Sequence, residues 1–247
     1  MADPEELWRG GSAGRQAALP APLRDLHRAI LHRFLQAGAP PASAWITGTA
    51  ARLGLDDTAV AELGDADLVH VADGAVTVAY PFSGTPTRQR VELDGFPAVY
   101  AMCAIDALGI PVMAGKDGQI TATDPHDDAP VQVSVQGRTW TWTPPGAVVV
   151  YGRTTGCGTD CGSWEMMCPH TTFHGSRDSA QAYLAARPGI DGEILSQQDA
   201  IDLGRRIFGP LLRAGRTHTA RPGRLPADRS SAVHSPTNRL RLRSTTL

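Results

Sequence analysis

Long apolar runs are missing from this 247-residue chain. Runs such as Ala147 to Tyr151 fall far short of the roughly 20 residues that a bilayer-spanning helix needs. An apolar core is also missing near Met1, where Asp3, Glu5 and Glu6 make the chain acidic, so no signal peptide is expected. Both absences lead to the expectation of a soluble, cytoplasmic protein without a membrane partner. Cysteine is scarce, with 4 in the whole chain. In a reducing compartment that number argues against a disulfide scaffold and leaves metal ligands, nucleophiles or buried apolar residues. Net charge is also small, at −2, which excludes a global pull toward nucleic acid or anionic membrane.

What is present is enough for a core: 42% of residues are hydrophobic. Residues 1–20 are rich in Gly, Ala and Arg and are expected to be flexible. Leu23, Leu26, Ile30, Leu31 and Phe34 recur at helical spacing, and Gly38 with Pro40 and Pro41 stops that helix. Ser43 is placed to cap a second helix running to Ala51 or Arg52, and Asp56 or Asp57 a third through Leu63. Asp67–Val71 and Ala75–Ala79 read as two strands about an Asp73-Gly74 turn. Residues 21–80 therefore predict a small winged-helix-like unit.

Residues 81–215 predict a mixed α/β catalytic domain with a small antiparallel-rich sheet, so the fold class is α+β. Thr87–Leu93 alternates as a strand. Phe96–Leu108 is expected to be a helix, with Pro97 in its first turn and Gly109 and Pro111 at its end. Strands are expected at Gln119–Thr123, Val131–Val135, Thr139–Thr143 and Ala147–Tyr151, then a glycine-rich loop from Gly152 to Gly162. Cys168 is expected on a strand or extended segment. A helix at Ser179–Ala186, a strand at Glu193–Leu195 and a helix at Gln197–Ala214 complete the domain. Residues 216–247 hold seven arginines against the single acid Asp228, lack apolar periodicity and predict a basic disordered tail.

Two segments carry chemistry. Cys103 and Asp106 are three residues apart, so on a helix they share a face. Cys168 offers a second thiol from a distant part of the chain. Thiolate is a soft ligand suited to a soft metal, and a carboxyl can shuttle a proton. Taken alone, a cysteine on a helix is most often a small buried hydrophobe, and a buried aspartate most often caps a loop. A carboxyl on an apolar face must nonetheless be satisfied or useful.

The run Cys103-Ala-Ile-Asp106-Ala-Leu-Gly-Ile-Pro111, with Cys168 and Phe173 downstream, resembles the organomercurial (alkylmercury) lyase family. The stretch Ala79–Ser83 and the strand from Thr87 to Val91 are similar as well, and the likeness spans roughly residues 20–215. The resemblance implies that Cys103 and Cys168 are the catalytic cysteines and mercury ligands and that Asp106 is the catalytic acid. It further implies protonolysis of a carbon–mercury bond, giving a hydrocarbon and Hg(II) held by Cys103, Cys168 and Asp106. No permanent cofactor is implied; mercury arrives with the substrate, and excess low-molecular-weight thiol, or a mercuric reductase, removes the product. Two positions depart from the family pattern. Asp124 stands where members commonly have a structural cysteine, and Pro169 where some have a second cysteine.

Other readings compete. Cys157 and Cys161 can be a surface thiol pair that captures mercury, a structural zinc site with Cys168 and His170 or His174, or two exposed thiols in a loop. Hydrogen bonding at the sheet is the preferred reading for His170 and His174. Tyr100 and Phe173 are expected in the core, and Trp140 and Trp142 on one packing face. A non-catalytic metal- or redox-sensing DNA-binding relative is the alternative function. The segment Asp56–Leu63, where a recognition helix would lie, is acidic and would repel phosphate, which makes nucleic acid a poor partner.

Overall fold

Local chemistry explains most of the elements in the computed structural model, which describes residues 11–155 and 162–213. Helix α1 spans Ser12–Ala18 and α2 spans Ala21–Ala37, where Gly38 ends it in the left-handed region at φ 70°. Helix α3 covers Ser43–Arg52 and α4 covers Ala59–Asp65. The sequence suggests Ser43 as the cap of α3, but Ala42 holds the N-cap position and Ser43 is the first helical residue. Its hydroxyl instead donates to the Gly74 carbonyl at 3.0 Å, tying the helix to the following hairpin. Strands β1 (Val69–Ala72) and β2 (Ala75–Ala79) flank Asp73 and Gly74, both at positive φ as a tight two-residue hairpin turn requires.

The chain then builds β3 (Phe82–Ser83), β4 (Gln89–Leu93), β5 (Val99–Ala101), helix α5 (Ala104–Ala114), β6 (Gly118–Thr123), β7 (Pro130–Gln136) and β8 (Thr139–Thr143). With β1 and β2 these form one antiparallel sheet of eight strands, in the order β1-β2-β3-β5-β4-β6-β7-β8. The hairpin therefore continues directly into the larger sheet. Strand β9 (Val148–Thr154) is the centre of a second antiparallel sheet between β10 (Thr172–His174) and β11 (Ile190–Leu195). The short helix α6 (Ser163–Met166) and a 3-10 turn (Cys168–His170) precede β10. Helices α7 (Arg177–Ala185) and α8 (Gln197–Phe208) complete the described fold. They start at Ser176 and Ser196, whose side chains accept from Ser179 N–H and Asp199 N–H.

The α+β expectation and the antiparallel sheets agree with this architecture. A single hydrophobic core joins the N-terminal helices to the large sheet, with Phe34 of α2 stacked on Phe82 of β3 at 5.1 Å. Among the described residues, no helix is long and apolar enough to cross a membrane. Residues 216–247 and the Cys157/Cys161 loop tip lie outside the described residues.

One expected helix is wrong in both its limits. Val99–Ala101 is not helical: its β-branched and aromatic residues insert as β5 between β3 and β4, and Pro97 lies in the preceding loop. The helix begins only after Cys103 and runs through Gly109 and Pro111 to Gly115, which caps it at φ 62°. Gly109 is needed for packing rather than termination. A Cβ there would lie 2.3 Å from the Phe208 ring of α8, and one at Gly204 would lie 3.1 Å from the Gly109 nitrogen. Gly109→Ala is accordingly expected to lose about 1–3 kcal/mol by overpacking, more than the helix-propensity gain of about 1 kcal/mol. Chemical denaturation would show this as a lower midpoint with an unchanged slope.

Candidate active site

Cys103 is the residue at which strand geometry changes to helix. Its backbone is fully extended, at φ −149° and ψ −179°, and it occupies the N-cap of α5. Asp106 sits in the first turn of the same helix. The pair thus faces one another across a helix start, not along a helix interior. Cys103 Sγ donates to Asp106 Oδ2 at 2.6 Å. Cys168 Sγ lies 4.0 Å from that same oxygen. One ligand atom from each of the three residues falls within 4.8 Å of the others, and this is the metal-capable cluster found among the described residues.

Backbone bonds hold the two cysteine segments together. The amide of Ala104, left free by the helix start, donates to the Thr171 carbonyl at 3.0 Å. Cys168 opens a 3-10 turn rather than lying on a strand, and Pro169 fits its beginning, where no backbone donor is required. Gly152 of β9 lets that turn approach, since a Cβ there would lie 2.8 Å from the His170 carbonyl.

All three groups are buried: Cys103 is 6% exposed, Cys168 8% and Asp106 3%. Burial pushes the Cys103 thiol well above its ordinary pKa, and the neighbouring Cys168 adds to the rise. Burial likewise raises Asp106 well above the carboxylate range, with the charge of Cys103 reinforcing it. For Cys168 the side-chain interaction with Cys103 is the largest influence and lowers the pKa. Burial and the Asp106 charge outweigh it, so the net shift is upward. All three shifts favour the protonated, neutral forms. The Asp106 carboxyl lies near backbone amides of its own turn, yet Oδ1 is buried without a hydrogen-bond partner.

A cavity of about 490 Å³ opens onto these groups. Its wall includes Tyr80, Tyr151, Met166, Met167, Ile207 and Phe208, an apolar and aromatic lining suited to an organic group. Burial raises Tyr151 to about 12 and Tyr80 further, so both phenols stay neutral. Sequence reasoning did not single out these wall residues, nor Arg15 and Ser163, which also line the cavity, nor Asp67, which is bonded to Ser163.

The histidines play other parts. His174 is fully buried, with Nδ1 3.0 Å from Asp124 Oδ1 and Nε2 2.9 Å from Thr172 Oγ1. Asp124 also accepts from Ser179 Oγ at 2.6 Å, Gly175 N–H at 2.8 Å and His126 N–H at 2.9 Å. These bonds tie the end of β6 to β10 and α7. The zinc reading involves Cys157 and Cys161, which lie outside the described residues. Cys168 is with Cys103 and Asp106, and both ring nitrogens of His174 are engaged. Phe173 packs on Trp142 at 5.7 Å, and Trp140 packs against the same core.

Comparison with known proteins places this geometry. The family model for MerB, alkylmercury lyase, matches residues 82–209, about half of the chain, and includes both cysteines and Asp106. The chain belongs to the alkylmercury lyase family. Its relatives include the alkylmercury lyase of Pseudomonas putida, 28% identical over 134 residues that make up 54% of this chain and 61% of that protein. The alkylmercury lyase of Staphylococcus epidermidis is 28% identical over 141 residues, 57% of this chain and 63% of its own length. That of Bacillus cereus is 30% identical over 121 residues, 49% of this chain and 53% of its own length. The matches thus span little more than half to three fifths of these alkylmercury lyases. The fold is shared with the crystal structure of the mercury-bound form of MerB2, at a TM-score of 0.68 and 19% identity over 86% of this chain and 100% of that one.

The pKa direction of Asp106 fixes a stability consequence. A carboxyl with a raised folded-state pKa binds more protons folded than unfolded, so stability falls as pH rises above its unfolded value near 3.8. Asp106→Asn removes that cost. Thermal melting at pH 8 should show the variant more stable than the parent by about 1–3 kcal/mol, with the difference shrinking toward pH 4.

Proposed function

We propose that this chain is an organomercurial lyase that cleaves carbon–mercury bonds by protonolysis, in organomercury detoxification. The observation that carries this reading is the convergence of two thiols and one carboxyl within 4.8 Å at the floor of a largely apolar cavity. Membership of the alkylmercury lyase family supports it.

The steps follow from the charge state of the trio. A thiol-capped organomercurial, R–Hg–SR′, enters the cavity with its organic group against the apolar wall. The Cys103 thiol bonds to mercury and R′SH departs with the proton, giving R–Hg–S–Cys103. Cys168 then adds its sulfur to mercury, and its proton passes to Asp106 as the Asp106 carboxyl gives up its own. Two sulfurs raise the electron density on the metal and weaken the bond to carbon. Asp106 delivers the proton to that carbon as the bond breaks, because a free carbanion is far too basic to leave. The hydrocarbon RH departs, and Hg(II) remains between Cys103 and Cys168 with the Asp106 carboxyl, reprotonated by Cys168, beside it. Two molecules of cellular thiol, or the thiols of a mercuric reductase, exchange onto the ion and return both cysteines to the protonated state.

No resident cofactor takes part in this scheme; mercury is substrate and product. Residues 21–80 act in it as a winged-helix-like cover of the site, and 81–215 as the catalytic domain. Operation in the cytoplasm, where thiols are abundant, fits the requirement for product removal. The metal- or redox-sensing DNA-binding alternative is disfavoured by the exposed acids Asp56, Asp57 and Glu62 in and before α4.

Protein incubated with methylmercury and excess small thiol should release methane, measured by gas chromatography. Cys103→Ala, Cys168→Ala and Asp106→Asn should each lower the rate by about a hundredfold or more. Continued turnover in Cys168→Ala would overturn the two-thiol scheme.

A further inference from the structure

The short helix that leads into Cys168 has no stability of its own. At four residues, α6 is too short to persist without outside contacts. Those contacts come from the N-terminal part of the chain, outside the segment matched by the family model. Asp67, 96 residues before Ser163, accepts from the Ser163 hydroxyl at 2.6 Å. It also accepts from the Ser163 amide, at 3.2 Å to Oδ2 and 3.3 Å to Oδ1. Arg15 of α1 pairs with Asp67 Oδ2 and donates to the Asp67 carbonyl at 2.9 Å and to Ser163 Oγ at 3.3–3.4 Å.

The fit around this junction is close. A Cβ on Gly162 would lie 2.9 Å from the Trp164 ring and 3.3 Å from Asp67 Oδ1. Trp164 itself lies against His70 of β1, with ring centroids 4.4 Å apart. Asp67 takes the left-handed φ of 49°, a conformation aspartate tolerates better than most residues. Arg15, Ser163 and Cys168 all border the same cavity.

We infer that Asp67, braced by Arg15, is a positioning residue that fixes α6 and so sets where the Cys168 sulfur stands relative to Cys103 and Asp106. This rests on the lyase reading above for its meaning in turnover. In that scheme Cys103 can capture mercury alone, whereas carbon–mercury cleavage needs Cys168 on the same metal. A displacement of about 1 Å can cost up to a hundredfold at such a step. Loss of the Asp67 contact therefore slows cleavage and spares capture.

The test is Asp67→Ala in the full chain, with melting temperature confirming the fold. In a single turnover with methylmercury, intact mass of quenched samples reads the Cys103 adduct, and evolved methane reads cleavage. Adduct formation should stay within about twofold of the parent while methane evolution falls about tenfold or more. Retention of Hg(II) against a competing small dithiol should also fall about tenfold, because the two-sulfur chelate is loosened. If Asp67→Ala does not fold, Ser163→Ala decides instead: it deletes the hydroxyl's bonds to Asp67 and Arg15, keeps those of the Ser163 amide, and should give the same selective loss, about threefold. Equal slowing of both steps, or no change in either step or in Hg(II) retention, overturns the assignment. A parent protein that evolves no methane overturns the lyase reading, while Hg(II) retention still decides the role of Asp67.

Discussion

The hydrogen bond between Cys103 and Asp106 is the interaction on which the site depends. It forms because the chain changes from strand to helix at Cys103, which places the thiol at the N-cap and the carboxyl in the first turn. A helix start ordinarily favours negative charge. Here desolvation wins, and both groups are held in their protonated forms. The bond satisfies one carboxyl oxygen and leaves the other without a partner in a buried place. An apolar residue at 106 would be better tolerated by the core, so the carboxyl is retained against the interests of packing.

The rest of the fold brings the second sulfur to that pair. Strand β9 runs through the middle of the smaller sheet, and its Gly152 admits the turn that carries Cys168. The Ala104 amide, bonded to the Thr171 carbonyl, links the two cysteine segments through backbone. On the far side of β10, Asp124 gathers His174, Ser179, Gly175 and His126 into a buried network. A carboxylate that accepts so many bonds is strongly held, and its pKa is lowered despite burial.

How much of this could be read from the residues differs from element to element. The long helix α2 and the Asp73-Gly74 hairpin were legible because spacing and turn chemistry are local signals. So was the pairing of Cys103 with Asp106, and resemblance supplied Cys168. The start of α5 was misread because Val99, Tyr100 and Ala101 are apolar in either conformation, and only the gap between β3 and β4 decides that they form a strand. Gly109 and Pro111 carry end-of-helix signals, yet the crossing of α8 requires a residue without a side chain there. The contact of Asp67 with Ser163 spans 96 residues and has no local signature at all. Tertiary placement, not sequence pattern, made it visible.

The protonated resting state has a consequence for which metals the cavity admits. A borderline dication such as zinc would have to expel protons from three desolvated groups before it gained a single anionic ligand, and it would bring its own charge into an apolar wall. In the proposed reaction the R–Hg–S centre of the substrate carries no net charge, and it exchanges one sulfur for another without net charge separation. On the proposed reading, the cost of ionising the pocket, in addition to the softness of sulfur, would set a soft organometal apart from the common divalent ions of the cell.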